Sequence, residues 1–215
     1  MPTALVTGGT GRVGRVVAAR LEREGFRVLA AGRAHGDVSR PAEARALVER
    51  CVAEHGGLDL VVNAAAGGFE PKPVEEVTEA DWEAAFGATA RGSFFVTQAA
   101  APHLRRSELG LVVMIEDVAA YQPWPSFAPH CAAKSAQAML TRVLARALAP
   151  DVRVCGVAPG PVAVEPEQVE RRAAETLLGR IGSPEDVAEA VLYLVRAGFV
   201  TGTTIVVDGG QSTGP

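Results

Sequence analysis

The sequence is poor in lysine, cysteine and aromatic residues. Its 215 residues include two lysines, Lys72 and Lys134, and three cysteines, and aromatic residues make up 5% of the chain. Cys51, Cys131 and Cys155 are odd in number and widely spaced, which fits neither a disulfide framework nor a metal site. We therefore expect no metal, and predict that Cys51 and Cys155 are small core residues.

The chain also lacks a strong excess of charge and any long apolar run. Its net charge is −4, which favours neither nucleic acid nor an anionic membrane as a partner. It has no apolar run near the length of a membrane span, and its start does not resemble a signal peptide. We expect a soluble cytoplasmic protein with one domain over residues 1–215, long enough to bury a sizeable core.

What the chain does have is a glycine-rich turn close to its start. The run Thr7-Gly8-Gly9-Thr10-Gly11-Arg12-Val13-Gly14 follows a short apolar stretch and leads into a helical pattern. Backbone N–H groups in such a turn can approach a phosphate at the positive end of a helix dipole. A tight turn without a ligand is the simpler alternative. A kinase-type phosphate loop is disfavoured, because Arg15-Val16 stand where that loop has its lysine and hydroxyl residue.

Strand and helix patterns alternate along the rest of the chain. This alternation predicts an α/β fold with a single doubly wound parallel sheet of the Rossmann type, in which ligands bind beyond the carboxyl ends of the strands. Ser39 and Thr78 are the predicted N-caps of two helices. After the first strand and helix, strands are expected over 26–31, 58–62, 109–115, 152–157 and 203–207, and helices over 41–55, 78–104, 130–149, 168–178 and 184–196.

Several stretches match a known family in order over nearly the whole chain. They are the glycine-rich turn, Asn63-Ala64-Ala65, the segment 112–136, Ala158-Pro159-Gly160-Pro161-Val162, and the C-terminal runs 179–188 and 200–210. Together they resemble the short-chain dehydrogenases/reductases. The resemblance implies a bound nicotinamide dinucleotide, held by Thr7, Gly8, Thr10, Gly11, Arg12, Val13, Gly14, Asn63, Ala64, Ala65, Lys134, Pro159, Gly160 and Val162.

The choice of cofactor depends on the segment after the second strand. Arg33 follows that strand directly, and an arginine there suits the extra phosphate of NADP, whereas an acidic residue would suit NAD. We predict NADP, with NAD as the alternative and a solvated surface arginine as the simpler interpretation. Asp37-Val38 resembles the adenine-contacting Asp-Val of the family, but follows Arg33 after four residues, where the family has a helix and a strand. This shortened segment predicts a missing edge strand or crossover and an open adenine side.

The family's catalytic tyrosine is replaced here. In the family, a tyrosine four residues before a lysine acts as acid or base; this chain keeps Lys134 but has His130 in the tyrosine's place. Asp117, thirteen residues before His130, stands where most members have serine, and Thr89 stands at the supporting asparagine. The predicted catalytic residues are Asp117, His130 and Lys134, with Lys134 also holding the nicotinamide ribose.

Two outcomes of this replacement stay open. An imidazole titrates near neutrality and can serve as a general acid, but it is shorter than a phenol. Lys134 would disfavour its cationic form and Asp117 would favour it. The chain is accordingly predicted to be a reductase, with a dinucleotide-binding protein of little or no turnover as the alternative.

Three residues resemble the pteridine reductase subgroup. Arg12 and Asp117 match features of that subgroup, and Phe69 lies one position from its stacking phenylalanine, which implies a pterin-like substrate. A small carbonyl compound is the alternative, and the simpler interpretation is that Arg12 and Asp117 are lineage differences around a simpler site. The predicted substrate residues are Phe69, Asp117 and Tyr121. Members of the family usually form dimers or tetramers through two long helices, here 78–104 and 130–149, so a homodimer or homotetramer is expected.

Overall fold

Six parallel strands form one sheet with helices on both faces. The computed structural model describes residues 1–213, so residues 214 and 215 of the predicted domain lie outside the described residues. The doubly wound fold predicted from the sequence is confirmed. The strands are β1 (Thr3–Thr7), β2 (Arg27–Ala31), β3 (Leu60–Asn63), β4 (Leu111–Ile115), β5 (Arg153–Pro159) and β6 (Thr204–Val207).

The sheet order is β2-β1-β3-β4-β5-β6, with every neighbouring pair parallel. After β2 the chain makes a short 3₁₀ turn over Arg33–His35 and enters a helix that leads to β3 on the far side of β1. In the described part of the chain β2 is therefore the edge strand, as the shortened segment predicted. The order reverses between β1 and β3, whose last residues Thr7 and Asn63 are paired, and ligands bind at such a reversal in sheets of this kind.

The helices form two layers, one on each face of the sheet. α1 packs against α7 on one face, and α2 packs against α4 on the other. A π-helical segment, Gly87–Arg91, joins α3 to α4, so the predicted long helix 78–104 is one element with a widened turn inside it. The helices are α1 (Arg12–Arg23), α2 (Pro41–His55), α3 (Glu79–Phe86), α4 (Gly92–Leu104), α5 (Ala128–Leu148), α6 (Val169–Ala174) and α7 (Pro184–Arg196).

One of the two predicted helix caps is confirmed. Thr78 caps α3 and forms a reciprocal pair of hydrogen bonds with Asp81, as predicted. The prediction of Ser39 as the cap of α2 is wrong, because Arg40 occupies that position. The Ser39 hydroxyl instead donates to Asp37 Oδ1 at 2.7 Å, since a carboxylate two residues earlier is within easy reach of a serine in a turn.

The central strands are buried along their whole length, as strands covered on both faces must be. Cys51 and Cys155 are buried among apolar side chains, one in each layer, so the prediction that they are core residues is confirmed. None of the helices within residues 1–213 is both long and apolar enough to cross a membrane.

Candidate active site

The glycine-rich turn brings the start of α1 close to the loop after β3. Gly8 has a φ of +65°, and a Cβ added there would lie 2.5 Å from the carbonyl oxygen of Ala64. A Cβ on Gly14 would lie 2.2 Å from the carbonyl oxygen of Gly8. No side chain fits at either position without moving backbone, so the two glycines allow β1, α1 and the loop after β3 to meet.

The first turn of α1 is open to an anion. Its N-cap is Gly11, which makes no side-chain cap, and the turn carries no acidic residue. Its first N–H groups therefore have no partner within their own helix, and the helix dipole favours negative charge there. This is the arrangement in which helices bind phosphate groups.

A crevice of about 220 Å³ lies beside this turn, at the carboxyl ends of β1 and β2. It brings together eight of the predicted cofactor residues. Leu47, Ala66 and Ala88 also line it, and sequence reasoning missed them because small and apolar side chains give no distinct signal. The predicted residues that line the crevice are Gly8, Thr10, Gly11, Arg33, Asp37, Val38, Ala64 and Ala65. The uncapped N–H groups at the start of α1 and the adjoining crevice are of the kind that holds a phosphate and the nucleoside next to it.

Thr7 and Asn63 are the last residues of β1 and β3, directly before chain segments that line this crevice. Thr7 Oγ1 accepts a long hydrogen bond, 3.4 Å, from the N–H of Ala65. Asn63 Nδ2 donates to Thr97 Oγ1 at 3.1 Å, and Asn63 Oδ1 is buried without a hydrogen-bond partner among the described residues.

The other predicted cofactor residues lie away from the crevice. Val13 packs beside the apolar layer of α1 and α7, and Pro159 ends β5. A Cβ on Gly160 would lie 2.7 Å from Asp208 Cβ, so this glycine allows the chain after β5 to approach the chain after β6. Val162 lines a separate cavity of about 430 Å³.

Arg12 also points away from the crevice. Its Nη1 donates to the carbonyl oxygen of Ala163 at 2.8 Å, and its Nη2 pairs with the carboxylate of Glu165. Both side chains of the ion pair are about half exposed. Arg12 thus joins the start of α1 to the segment that follows β5.

The segment after β2 carries an exposed arginine and a carboxylate held in a turn. Arg33 is exposed at the edge of the crevice. Asp37 Oδ1 accepts hydrogen bonds from the hydroxyl and the N–H of Ser39, and these bonds lower the pKa of Asp37. The Asp37 carboxylate is therefore engaged with its own turn and stays ionised.

His130 and Asp117 meet at the carboxyl end of β4. His130 Nε2 lies 3.3 Å from Asp117 Oδ2, and Asp117 Oδ1 accepts a hydrogen bond from the N–H of Ala119 at 2.8 Å, which fixes the carboxylate. His130 is 4% exposed, and its Nδ1 has no hydrogen-bond partner among the described residues. His130 and Asp117 thus lie next to each other, and the His130 side chain is almost completely buried.

Lys134 lies one helical turn further along α5 and is bound by three oxygens. Its Nζ donates to the carbonyl oxygen of Ile115 at 2.8 Å, to that of Glu116 at 3.2 Å, and to Gln137 Oε1 at 3.2 Å. An ammonium has three N–H donors, so all are engaged within the protein. Burial lowers the pKa of Lys134, and the carboxylates of Asp117 and Glu116 act against that lowering.

Thr89, at the family's asparagine position, lies in the π-helical segment. Its side chain is fully buried, and its Oγ1 has no hydrogen-bond partner among the described residues. Thr89 Oγ1, Asn63 Oδ1 and His130 Nδ1 are thus three buried polar atoms that lack hydrogen-bond partners within residues 1–213. Such atoms usually mark a bound water or a ligand.

An aromatic pair stands beside His130. The rings of Phe69 and Phe127 stack with their centres 4.8 Å apart, and Phe69 meets the imidazole edge to face at the same distance. Phe69 is 54% exposed, so it can contact a ligand. Tyr121, the other predicted aromatic substrate residue, donates its hydroxyl to Glu116 Oε2 at 2.8 Å, and burial raises its pKa to about 12.

Sequence reasoning missed two residues around Lys134, Glu116 and Gln137. For Gln137 the signal was present in α5, where polar residues recur among alanines at positions 130, 134, 137 and 141. This spacing places them on one helix face, and all four are buried. We call these four residues, His130, Lys134, Gln137 and Thr141, the polar stripe of α5.

Known proteins share both the sequence and the fold. Residues 11–212 match a family model described as enoyl-(acyl carrier protein) reductase. The chain is 37% identical to a Streptomyces violaceoruber protein named as a ketoacyl reductase of granaticin polyketide synthase, over 97% of this chain and 95% of that protein. It is 32% identical to human dehydrogenase/reductase SDR family member 4, over 96% of this chain and 86% of that protein.

A solved structure also matches the chain in fold and in sequence. The ligand-free aldohexose dehydrogenase of Thermoplasma acidophilum matches with a TM-score of 0.93 and 25% identity, covering 100% of this chain and 95% of that one. The two sequence alignments run over 238 and 239 residues, longer than the chain itself, so these relatives contain segments that the chain lacks. The named relatives are reductases and dehydrogenases, which supports the prediction of an enzyme that uses a nicotinamide dinucleotide: the chain belongs to the short-chain dehydrogenase/reductase family.

Proposed function

We propose that the chain is an NADP(H)-dependent reductase of a small carbonyl or pterin-like compound, with His130 in the role of the family's tyrosine. The observation that carries this proposal is the approach of His130 Nε2 to Asp117 Oδ2, 3.3 Å, one helical turn before Lys134. The three groups lie at the same edge of the sheet as the glycine-rich turn, where the family binds its cofactor and substrate.

The chain's own residues would hold the cofactor in two places. The N–H groups at the start of α1 would bind the pyrophosphate, and Arg33, exposed at the crevice, would bind the additional phosphate that distinguishes NADP. Asn63 to Ala65 and Pro159 to Val162 would lie beside the nicotinamide, as the family resemblance implies. When bound, the nicotinamide supplies a hydride to the substrate carbon.

His130 would supply the proton that the reduced oxygen needs. The Asp117 carboxylate, fixed by the Ala119 N–H, faces Nε2 and stabilises the ring when it carries a second proton. His130 would then pass the Nε2 proton to the substrate oxygen, directly or through a water, and take another from solvent. Catalytic hydrogen bonds in proteins without ligand are often long, so 3.3 Å is compatible with this role.

The aromatic pair Phe69 and Phe127 supports a flat substrate. Phe69 is exposed beside His130, and an exposed ring at this place can cover the face of a conjugated substrate. Asp117 and Arg12 agree with the pteridine reductase subgroup in residue type, although Arg12 is paired with Glu165. A pterin-like compound and a small carbonyl compound are therefore both retained as substrate classes.

One observation favours a second candidate, a dinucleotide-binding protein with little turnover. All three N–H groups of Lys134 are bonded within the protein, and His130 is 4% exposed. A ribose hydroxyl could bind Lys134 only by displacing one of these acceptors. In this candidate the crevice binds the cofactor and the histidine does not act.

The assembly and its location follow the family. We expect a homodimer or homotetramer in the cytoplasm, formed through α3, α4 and α5. Exposed apolar side chains on these helices, Trp82, Met139 and Val143, are consistent with burial against a second copy.

Two measurements test the proposed function. Thermal unfolding with NADPH or NADH measures binding, and a higher unfolding temperature with NADPH is expected. Oxidation of NADPH in the presence of a panel of carbonyl compounds and dihydropterins then measures turnover. Protection without turnover on any substrate would support the second candidate, and absence of protection by either dinucleotide would reject both.

A further inference from the structure

Glu116 is a buried carboxylate that no part of the proposed reaction uses. It follows β4 directly, it is 2% exposed, and its backbone N–H donates to the carbonyl oxygen of Val157 at 2.7 Å. An ionised group this deep is costly unless donors surround it. Its partners therefore indicate what the residue does.

Three hydroxyl groups surround the Glu116 carboxylate, each from a different element. Thr141 on α5 donates to Oε1 at 2.6 Å, Tyr121 in the loop after β4 donates to Oε2 at 2.8 Å, and Thr204 on β6 lies 3.0 Å from Oε2. Hydrogen bonds to an ionised acceptor are the stronger kind. The carboxylate therefore ties the end of β4 to α5, to β6 and to the following loop.

The neighbouring strand leaves space for this side chain. Gly156 on β5 pairs with Met114 on β4, and a Cβ on Gly156 would lie 2.1 Å from Glu116 Oε1. Glycine weakens the interior of a strand, so its presence here is explained by the close approach of the carboxylate. The Glu116 position is thus built from four elements of the fold.

The same segment holds the catalytic groups. Lys134 Nζ donates to the backbone carbonyl oxygens of Ile115 and Glu116, and Asp117 is the next residue. Thr141 and Lys134 both belong to the polar stripe of α5. The hydrogen bond from Thr141 to the Glu116 side chain therefore holds α5 against the end of β4. This contact also keeps Lys134 Nζ next to the β4 carbonyl oxygens to which it donates.

We propose that Glu116 is a positioning residue of the active site, which holds the end of β4 on α5 and provides a buried negative charge close to the Lys134 ammonium. The charged groups around Lys134 are Glu116 and Asp117 at the end of β4 and, when protonated, His130 on its own helix; Gln137 on the same helix and Ser93 on α4 are neutral. Both carboxylates favour the ammonium form of Lys134, and Asp117 also contacts His130. The role of Glu116 in catalysis rests on the proposed function, whereas its effect on Lys134 does not.

The scarcity of lysine makes a direct test available. Lys72 and Lys134 are the only lysines of the chain, so protein labelled with carbon-13 at the lysine side chain gives two resonances that Lys72→Arg assigns. Their titration is followed by NMR across the alkaline range in the protein without ligand. Lys72 serves as an internal reference, since its hydrogen bond to Asp81, 2.6 Å long, is remote from Glu116 in sequence and raises its pKa.

Glu116→Gln removes the charge and keeps the size of the side chain. The proposal expects Lys134 to lose its proton about one pH unit lower in this variant, because a nearby carboxylate favours the ammonium, while the Lys72 titration stays in place. Thr204→Val is the matched control, since it removes one hydrogen bond to the carboxylate and leaves the charge. It should destabilise the fold without moving the Lys134 titration.

The outcomes separate this inference from the proposed function. The role of Glu116 would be overturned if the titration of Lys134 were unchanged in Glu116→Gln. It would also be overturned if that titration shifted equally in Thr204→Val. Should Glu116→Gln not fold, Glu116→Ser removes the same charge and is read in the same way. If the titration moves and the wild type reduces a substrate, kcat of Glu116→Gln should fall with KM for NADPH nearly unchanged; if it moves and no substrate is reduced, only the proposed function fails.

Discussion

The guanidinium of Arg12 pairs with the carboxylate of Glu165 and so connects the first turn of α1 to the segment after β5. These two parts of the chain flank the place where the family binds its cofactor. An anionic cofactor at the start of α1 would compete with Glu165 for the same guanidinium. The pair therefore offers a test of where the phosphates bind.

Glu165→Gln should strengthen binding of NADPH about threefold, the size of effect expected when an exposed ion pair no longer competes, and Arg12→Ala should weaken it. Isothermal titration calorimetry measures both. Glu167→Gln, an exposed neighbour, serves as control and should leave the affinity unchanged. If the affinity for NADPH changed in the same direction in the Arg12 and the Glu165 variants, this would contradict competition between Glu165 and the phosphates for Arg12.

Replacement of His130 tests its role in proton transfer. His130→Gln should lower kcat by a hundredfold or more, about the contribution of a positioned general acid, while protection by NADPH against thermal unfolding persists. His130→Tyr should instead change the pH dependence of kcat, because a phenol replaces the imidazole.

The same two variants identify the rival function. A wild-type protein without turnover that becomes active as His130→Tyr would be a dinucleotide-binding protein whose catalytic group was lost. An active wild type whose rate and pH dependence survive both substitutions would show that the proton comes from another group.

The glycine-rich turn should not tolerate a methyl group. Gly14→Ala places a Cβ against the carbonyl oxygen of Gly8, and overpacking of this kind costs about 1–3 kcal/mol of unfolding free energy. Binding of NADPH should fall as well, because the turn must shift. Gly57→Ala is the control, since a Cβ there has no neighbour within 4 Å. Equal stability and affinity in the two variants would argue against a closely fitted turn.

Arg33 should determine the preference for NADP. Arg33→Ala should weaken binding of NADPH at least about tenfold, the loss expected for a charge-assisted contact to phosphate, and leave binding of NADH nearly unchanged. Titration of both dinucleotides against wild type and variant gives the ratio of affinities. Arg40→Ala, also exposed, is the control. A ratio that Arg33→Ala does not alter would remove the argument for NADP.

The sequence predicted the sheet because its signals are local. Alternating patterns predicted the strands and helices, and the spacing from Asp117 to His130 predicted two side chains that lie 3.3 Å apart, with Lys134 one turn further along α5. The short step from Arg33 to Asp37 correctly predicted that the sheet ends at β2.

What the sequence could not give are contacts between distant segments. Neither the pairing of Arg12 with Glu165 nor that of Glu116 with Thr204 has a local pattern, since their partners are far apart in the chain. The Ser39 cap failed because the residue directly before α2 is Arg40, and the Ser39 hydroxyl donates to Asp37 rather than accepting from a helix N–H.

The position of β2 at the border of the sheet has a consequence for how the protein handles its cofactor. Within residues 1–213 no further strand lies beyond it, and the short segment from Gly32 to Val38, with its 3₁₀ turn Arg33–His35, borders that end of the crevice. We expect a bound dinucleotide to be held mainly through its pyrophosphate, with its adenine ring in few contacts with the protein. The affinity for the dinucleotide should then depend steeply on ionic strength. The cofactor should also be released quickly after the reaction.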